Sequence, residues 1–344
     1  MLAVAGSILT IFLASALCTG MAYWYARQRQ WLAIPNARSS HAVPTPSSGG
    51  IGFVPLILFL LAVLGWSGRL DGSVAAALFG GGALVACVGW IDDRRQIPAS
   101  IRALAYAIAA AWALWQIGGL DHMYLGMVVP LGMGGTFIAL FGIFGFSNMY
   151  NFMDGIDGLV ASYAVVAGST LAFLFFRVGA IGFATVTAIL AASAAGFLVW
   201  NWHPARIFMG DVGSVFLGFS FAVLGVAAEQ FRILPALVSV ILFAPFLVDG
   251  LATMFRRMLR GERWYEAHRT FAYQRAVQRG HRHSTVTMGA LALEAVMVTL
   301  AVAGALQPHD MLALTFLAVF VSVIVWGWFQ FDVRAMLRIR AKES

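Results

Sequence analysis

The chain has 344 residues, of which 61% are hydrophobic and 11% are charged, and its mean hydropathy is +0.84. A soluble domain carries roughly 25% charged residues, so this composition excludes an ordinary soluble enzyme and indicates an integral membrane protein. The net charge is +7, and 21 of the 22 basic residues are arginine. Arginine suits bidentate contacts with phosphate, although a high-GC genome produces the same bias.

Apolar runs long enough to cross a bilayer follow one another along nearly the whole chain. We count about eleven, with ten as the alternative, and they predict an all-α polytopic membrane protein with one membrane-embedded domain over residues 1–344. Both cysteines, Cys18 and Cys87, lie inside such runs and indicate no disulfide framework. The runs lie near residues 3–25, 50–66, 73–91, 101–118, 126–147, 158–176, 179–200, 212–228, 233–253, 285–305 and 311–330.

The distribution of basic residues predicts the orientation of these spans. With eleven spans, 19 of the 22 basic residues fall in the loops and tail on the same side as the C-terminus. The opposite side has only Arg69, Arg177 and Arg232. Because cytoplasmic loops are enriched in lysine and arginine, we expect the N-terminus outside and the C-terminus in the cytoplasm. The acidic clusters described below then all fall at the cytoplasmic face, although the span count did not use them.

Two polar segments precede the middle of the chain. The first cytoplasmic loop, Ile34–Gly50, reads IPNARSSHAVPTPSSGG, and its prolines and glycines favour an ordered loop at a site over a bare linker. The third run ends in GWIDDRRQIP, where Asp92 and Asp93 precede Arg94 and Arg95. Adjacent carboxylates are unfavourable at a helix C-terminus unless a cation compensates them, and the two arginines are candidates. A solvated interfacial cluster is one interpretation, and a metal–diphosphate or proton-accepting site is the other.

The segment NMYNFMDGIDG, Asn148–Gly158, places Asp154 and Asp157 three residues apart between glycines. A carboxylate at the edge of a bilayer is costly to desolvate, so it needs a cation, a phosphate-bound metal or a catalytic task. A helix cap or a local turn explains one of the two carboxylates well but not both. Together with Asn151 the segment offers oxygen ligands, which favour Mg²⁺ over zinc.

Asp211 lies in FMGDVGS at the start of the eighth run. A helix cap is again the simpler interpretation. Gly210 and Gly213 permit close backbone approach, however, and a helix N-terminus attracts phosphate. Phe208, three residues earlier, is placed to stack on a nucleobase.

The largest polar segment is the basic cytoplasmic loop 254–284, which contains His268 and Arg269. An electrostatic anchor to anionic lipid headgroups is the simpler interpretation of such a loop. A zinc site is disfavoured, because the loop has no HExxH motif and no cysteine.

Taken together, these segments carry a family resemblance. PNARSSHAVPTPSSGG, IDDRRQ, NMYNFMDGIDGL, IFMGDVGS and a basic loop with AHR occur in this order. From about residue 20 to residue 285, the chain resembles the polyprenyl-phosphate N-acetylhexosamine-1-phosphate transferases, the family of MraY and WecA. NFMDGIDGL followed by GDVGS is the specific part of the resemblance. The proline-rich loop and the HRTFAYQR segment look closest to the WbpL-like branch that primes O-antigen synthesis.

The resemblance implies that a UDP-N-acetylhexosamine gives its sugar 1-phosphate to undecaprenyl phosphate in the bacterial inner membrane, with release of UMP. It implies Mg²⁺ as cofactor, with Mn²⁺ as a substitute. The implied partners are these substrates and membrane lipid, without nucleic acid, and a homodimer is allowed. The implied metal ligands are Asp211 and Asp154, and the implied catalytic residues are Asp92, Asp93, Asp154, Asp157 and His268. The implied substrate-binding residues are Asn151, Phe208, Arg94, Arg95, Arg269, Ser40 and His41.

Three alternatives are weighed against this interpretation. The peptidoglycan branch, which transfers phospho-N-acetylmuramoyl-pentapeptide, has a three-histidine run where this chain reads EAHRTFAY, so that substrate is disfavoured. A secondary transporter would hold its acidic residues near the membrane midplane rather than at one face. Membrane CDP-alcohol phosphotransferases have an aspartate spacing that does not follow Asp154. The identity of the sugar, and a one-step or phospho-aspartate mechanism, stay open.

Overall fold

The computed structural model describes residues 2–35, 41, 43–263 and 268–331, and most of these residues are helical. Two short antiparallel hairpins pair β1 (Leu32–Ala33) with β2 (Thr45–Pro46) and β3 (His122–Tyr124) with β4 (Val128–Pro130). A π-helical turn, Ala77–Gly81, joins α3 to α4. The helices are α1 (Leu2–Gln28), α2 (Gly50–Trp66), α3 (Gly72–Ala76), α4 (Gly82–Arg95), α5 (Ala99–Ile117), α6 (Gly132–Phe152), α7 (Leu159–Arg177), α8 (Ile181–Asn201), α9 (Asp211–Gln230), α10 (Ala236–Leu242), α11 (Ala244–Leu259), α12 (Ala272–Gln278), α13 (His283–Leu306) and α14 (Met311–Gln330).

The described helices confirm the prediction of an all-α polytopic membrane protein. Nine of them are long and apolar enough to cross a bilayer when α3 and α4 count as one, and α10 with α11 makes a tenth span. The shorter apolar helix α2 has 17 residues and coincides with the second predicted run. The orientation of the termini stays a prediction.

Two spans differ from the sequence-based boundaries. The fifth begins at Gly132 instead of near residue 126, because the preceding residues form the β3–β4 hairpin. The ninth is broken, since α10 and α11 meet at an angle of 74° around Phe243. Pro245 lies in the first turn of α11, where a missing N–H group is tolerated, whereas the same residue cannot continue a helix that arrives from α10.

Helix α9 lies at the centre of the bundle, where it packs against α2, α4 and α6. Close approach depends on glycines, which let helices pack without side chains between them. A Cβ atom on Gly89 of α4 would lie 2.6 Å from the backbone carbonyl carbon of Asp211, and one on Gly218 of α9 would lie 2.6 Å from Cβ of Tyr150 in α6. The last turn of α4 and the first turn of α9 are therefore held against each other.

Backbone hydrogen bonds tie the described part of the loop 34–50 to the segment before α9. The Phe208 N–H donates to the Pro46 carbonyl at 2.9 Å, and the Gly49 N–H donates to the Phe208 carbonyl at 2.8 Å. The Gly50 N–H donates to the Met209 carbonyl at 2.9 Å, at the start of α2. The described second half of this loop is thus ordered beside the start of α9, as its composition predicts.

Candidate active site

A polar cavity of about 270 Å³ lies where the C-terminal ends of α4 and α6 meet the N-terminal end of α9. Its walls come from segments that are widely separated along the chain. Seven of the residues predicted to form a site line it, namely His41, Asp93, Asn151, Asp154, Asp157, Phe208 and Asp211. Four carboxylates from three helix ends therefore face one cavity, which is unfavourable unless a cation or a bound substrate compensates them.

Asp93 caps the N-terminus of α9. Its Oδ1 atom accepts a hydrogen bond of 2.9 Å from the backbone N–H of Asp211. Gly210 has φ +74° and ψ 170°, a conformation that is essentially restricted to glycine, and a Cβ atom there would collide with Asp93 Oδ2. This Oδ2 atom is buried and has no hydrogen-bond partner among the described residues. It is therefore free to contact a metal ion or a substrate.

A cation beside Asp92 comes from the next helix. Arg102 of α5 forms an ion pair with Asp92 and places its Nη1 atom 3.4 Å from Asp211 Oδ2. Asp92 also accepts a 2.8 Å hydrogen bond from the Ile97 N–H, and it does not line the cavity. Arg102 is therefore the partner of Asp92, while Asp93 interacts electrostatically with Arg94, one of the two arginines expected to compensate the pair. Neighbouring residues on a helix point in different directions, so Arg94 and Arg95 cannot both turn back toward Asp92.

Arg94 and Arg95 do not line the polar cavity. The Arg94 guanidinium lies over the ring of Trp31 and faces a second, apolar groove. Arg95 is exposed. Their role in substrate binding stays a prediction.

Asp154 lies in the turn that follows α6. Desolvation in this enclosed position, together with the nearby charges of Asp93 and Asp157, raises the pKa of Asp154 to about 7. A carboxyl group in such surroundings gains from a bound cation. Beside it, the Asn151 Oδ1 atom accepts a hydrogen bond of 2.8 Å from the Ser214 hydroxyl of α9, which fixes the amide against that helix.

Asp157 is buried and held by two histidines. His203 Nδ1 lies 2.7 Å from Oδ2, and His283 Nδ1 lies 3.2 Å from Oδ1, while the Ala205 N–H donates to Oδ2 at 3.2 Å. Burial alone would raise the pKa of Asp157, but the contacts with His283, His203 and the Ala205 N–H outweigh it and lower the pKa. The three side chains are also close enough together to hold a metal ion. In this structure both histidines contact the Asp157 carboxylate directly at hydrogen-bond distance. This arrangement favours a role for Asp157 as a structural anchor.

Besides Asp92, Arg94 and Arg95, three more predicted residues lie away from the cavity or outside the described residues. His268 does not line the cavity. Its Nδ1 atom lies 2.9 Å from the Thr270 hydroxyl, and burial together with Arg257 lowers its pKa to about 4. Arg269 is exposed, and Ser40 falls in the segment that the structure does not describe. Their catalytic and binding roles stay predictions.

Four polar side chains of the cavity were not singled out as site residues from the sequence: Ser47, Asn201, Gln274 and His283. The Asn201 Oδ1 atom accepts from the Gly158 N–H at 3.0 Å, and its Nδ2 donates to the Ile207 carbonyl at 2.9 Å. It thereby joins the two aspartate motifs. His283 is visible in the sequence only as one histidine of a basic loop, and nothing in its spacing connects it to Asp157.

The donor atoms of the cavity fit Mg²⁺. Asp93 Oδ2 is a buried oxygen without a partner among the described residues, and the carboxylates of Asp154 and Asp211 face the same volume. Hard oxygen donors suit Mg²⁺, which keeps several waters and binds substrate phosphates. The N-terminus of α9, with Asp211 as its first residue, adds a favourable field for an anionic group.

Comparison with known proteins matches this region to a family. Residues 75–229 match the sequence model of glycosyl transferase family 4, a range that runs from α3 to α9 and includes Asp92, Asp93, Asp154, Asp157 and Asp211.

Individual relatives extend the similarity. Over 231 residues, the chain is 28% identical to a probable undecaprenyl-phosphate N-acetylglucosaminyl 1-phosphate transferase of Bacillus subtilis (strain 168), and the match covers 65% of this chain and 63% of that protein. Over 318 residues, it is 29% identical to the decaprenyl-phosphate N-acetylglucosaminephosphotransferase of Mycobacterium leprae (strain TN), covering 81% and 78%. Over 203 residues, it is 34% identical to the phospho-N-acetylmuramoyl-pentapeptide-transferase of Thermosynechococcus vestitus, covering 54% and 53%.

Proposed function

We propose that this chain, which belongs to glycosyl transferase family 4, transfers a sugar 1-phosphate from a UDP-N-acetylhexosamine to undecaprenyl phosphate in the bacterial inner membrane and releases UMP. The product would start a lipid-linked O-antigen or another cell-surface glycan. The observation that carries the proposal is the cavity in which Asp93, Asp154 and Asp211 converge at the N-terminus of α9. Such a cavity suits a diphosphate with a divalent cation, and relatives over most of the chain are named for this type of transfer.

The reaction exchanges one phosphoanhydride bond for another. An oxygen of the lipid phosphate attacks the phosphorus that carries the sugar, and the bond from that phosphorus to the bridging oxygen breaks. The electron pair stays on the bridging oxygen, which leaves as part of UMP. The acceptor is already a nucleophile, so positioning and charge neutralisation suffice and we favour direct attack over a phospho-aspartate intermediate.

The residues of the cavity divide into metal-binding, substrate-binding and anchoring roles. Asp211 and Asp154 are the proposed Mg²⁺ ligands, with Asp93 Oδ2 facing the same space. Bound Mg²⁺ would neutralise the diphosphate and stabilise the departing UMP. Phe208 is proposed to stack on the uracil, and its ring is held by His41, whose centroid lies 4.8 Å away. Asp157 is proposed to anchor the cavity wall.

A phospho-N-acetylmuramoyl-pentapeptide donor is a second candidate, because the relative from Thermosynechococcus vestitus is named for it. The EAHRTFAY segment lacks the three-histidine run of that branch, which favours the simpler sugar donor. Both candidates use the same phosphates and the same acceptor, so they differ only in the donor that is accepted.

The test is release of UMP by purified protein supplied with undecaprenyl phosphate and, separately, each of a panel of UDP-sugars. The panel contains UDP-N-acetylglucosamine, UDP-N-acetylgalactosamine, deoxy-N-acetylhexosamine donors and UDP-N-acetylmuramoyl-pentapeptide. We expect release with an N-acetylhexosamine donor that requires Mg²⁺ and is supported less well by Mn²⁺. Asp154→Asn and Asp211→Asn should each lower the rate by at least a hundredfold.

Asp310→Asn is the matched control, because this aspartate, whose side chain is 49% exposed, lies outside the cavity and its substitution should leave the rate unchanged. Folded wild-type protein that releases no UMP with any donor would contradict the proposal. Release from the muramoyl donor alone would select the second candidate.

A further inference from the structure

A surface cavity of about 370 Å³ contains two arginines and shares no lining residue with the polar cavity. It is formed by the end of α1, the β1–β2 hairpin and the segment that joins α8 to α9. Arg27 and Arg206 line it, and none of its described lining residues is an aspartate or a glutamate. Helices α1 and α8 are membrane spans, and these ends belong to the face that the basic residues predict to be cytoplasmic. The cavity therefore lies at the level of the lipid headgroups.

A stacked pair of aromatic rings positions the two guanidinium groups. The ring centroids of Tyr23 in α1 and Trp200 in α8 lie 5.4 Å apart, with 29° between the ring planes. The Trp200 indole N–H donates to the Ala16 carbonyl at 2.9 Å, which fixes α8 against α1. Arg27 Nη1 donates to the Tyr23 hydroxyl at 3.3 Å. The Arg206 guanidinium lies 5.7 Å from the centroid of the Trp200 ring, so each ring of the stack has one arginine beside it.

The charges of this cavity call for an anion. Among the described residues, no carboxylate lies within 4.0 Å of the guanidinium group of Arg27 or of Arg206. Two cations that line one cavity repel each other, and an anion bound between them offsets that repulsion. Guanidinium groups match the geometry of phosphate oxygens, and the Tyr23 hydroxyl can donate its own proton to a further acceptor. The chemistry that the cavity recognises is thus a phosphate group.

The exposed surface of α1 beside the cavity favours a phosphate that belongs to a lipid. Arg27 lies over the ring of Trp24, 5.8 Å from its centroid, at the end of an apolar face of this helix. In a bilayer such a face contacts acyl chains, and basic residues at the cytoplasmic surface attract anionic headgroups. The face consists of four side chains that are spaced four, four and three residues apart and are each more than half exposed: Leu13, Leu17, Met21 and Trp24.

We infer that Arg27 and Arg206 bind the phosphodiester headgroup of an anionic phospholipid of the cytoplasmic leaflet, with its acyl chains along the exposed face of α1. One headgroup then bridges α1 and the connection between α8 and α9. The acceptor of the proposed reaction is a different ligand, because its phosphate must enter the polar cavity to react. Binding of the phospholipid does not depend on the transferase reaction.

Backbone contacts connect the headgroup cavity to the candidate active site. Pro46 lines the headgroup cavity, and its carbonyl accepts the Phe208 N–H at 2.9 Å. Ala205 also lines it, and its N–H donates to Asp157 Oδ2 at 3.2 Å. A bound headgroup would therefore stabilise the two segments that hold Phe208 and Asp157 in place.

The arginines of the basic loop 254–284 are engaged differently. Arg256 donates to the side chain of Gln330, and Arg275 Nη1 donates to the Gln330 carbonyl at 3.2 Å. Arg279 Nη2 donates to the Phe329 carbonyl at 3.1 Å, so these side chains cap the C-terminal end of α14. The Arg206 guanidinium, by contrast, has no hydrogen-bond acceptor among the described residues. Charge and free donors therefore favour the cavity at Arg27 and Arg206 as the headgroup site.

Native mass spectrometry of the purified full chain in detergent measures the dissociation constant of the first bound phospholipid. We expect phosphatidylglycerol to bind at least fivefold more tightly than phosphatidylcholine, whose choline cation compensates the same phosphodiester. Saturating undecaprenyl phosphate should leave the affinity for phosphatidylglycerol unchanged. Glycerol 3-phosphate in large excess, as a soluble source of phosphate, should not displace the lipid.

Arg27→Gln and Arg206→Gln should each weaken the binding of phosphatidylglycerol, and the double variant should bind it no more tightly than phosphatidylcholine. Arg206→Lys should keep part of the preference, because it retains the charge without the paired donors. Arg29→Gln is the matched control. Arg29 is exposed and lies over the ring of Tyr25 near the end of α1, but it does not line the cavity, so its substitution should leave the preference unchanged.

Equal affinity of the wild-type protein for phosphatidylglycerol and phosphatidylcholine would overturn the headgroup site, and this comparison needs no variant. An equal loss in Arg29→Gln would also overturn it, because the preference would then reflect the diffuse charge of the surface. Displacement by undecaprenyl phosphate would assign the cavity to the acceptor, and displacement by glycerol 3-phosphate would assign it to a soluble phosphate. None of these measurements uses UMP release, so a failure of the proposed function would be seen separately.

Discussion

At the scale of single residues, the two aspartates of the DGIDG segment lie in different environments. Asp154 faces the cavity, and its pKa is raised because the charged carboxylate is poorly solvated there. A bound cation would stabilise the charged form. Asp157 is saturated by contacts with His203, His283 and the Ala205 N–H, and its pKa is lowered. The pKa values of two identical side chains three residues apart are thus shifted in opposite directions by their surroundings.

The lowered pKa of Asp157 predicts a pH-dependent contribution to stability. A carboxyl group whose pKa is lower in the folded state stabilises the fold above its unfolded pKa, about 3.9 for aspartate, and loses that effect as the pH falls through the folded value. Asp157→Asn should therefore lower the thermal midpoint at pH 7 in detergent. The difference from wild type should shrink below about pH 4. A difference that is the same at pH 7 and at pH 3 would contradict the ionic role; Asp310→Asn serves as the control.

At the scale of helices, the site depends on the contact between α4 and α9. The Gly89 backbone lies against the Asp211 peptide group, and this approach lets Asp93 accept the Asp211 N–H. A carboxylate that caps a helix also compensates the partial positive charge of its N-terminus. One crossing thus determines the position of both aspartates.

Gly89→Ala should separate α4 from α9, because the new Cβ would meet backbone atoms that cannot rotate away. Overpacking of this kind costs about 1–3 kcal/mol, and a displacement well below 1 Å at the site is expected to lower the rate of UMP release at least tenfold. Gly142→Ala in α6 is the control, because a Cβ there meets nothing within 4 Å. It should keep full activity, and the helix should gain about 0.5–1 kcal/mol. Full activity of Gly89→Ala would show that the crossing tolerates a side chain.

At the scale of the whole molecule, the helix ends that carry carboxylates gather at one end of the bundle. The C-termini of α4 and α6 and the N-terminus of α9 meet there, as alternating spans require. The β3–β4 hairpin and the connection between α7 and α8 belong to the loops that the basic residues predict for the other face.

The predicted orientation can be measured by cysteine labelling in a background of Cys18→Ala and Cys87→Ala. Val178→Cys, in the exposed turn after α7, should react with a membrane-impermeant maleimide in intact cells. Arg260→Cys, at the end of α11 in the basic loop, should react only in inverted vesicles. The reverse pattern would place the cavity on the outer face, where cytoplasmic UDP-sugars do not reach it.

The sequence alone determined the class of the protein, the approximate position of its spans and the segments that carry the site. Hydropathy over about 20 residues and the motifs around Asp154, Asp157 and Asp211 are local properties of the sequence, so they can be recognised without knowledge of the fold. The break in the ninth span was not predicted from the sequence, although Pro245 marks its position.

Only the tertiary structure decided which groups meet across the chain. Asp93 and Asp211 are 118 residues apart, and Asp157 and His283 are 126 residues apart. The selection of Arg102 over Arg94 as the partner of Asp92, and of His283 over His268 at the cavity, follows from helix crossings and side-chain direction. These depend on the packing of the whole bundle, and no local pattern of residues encodes them.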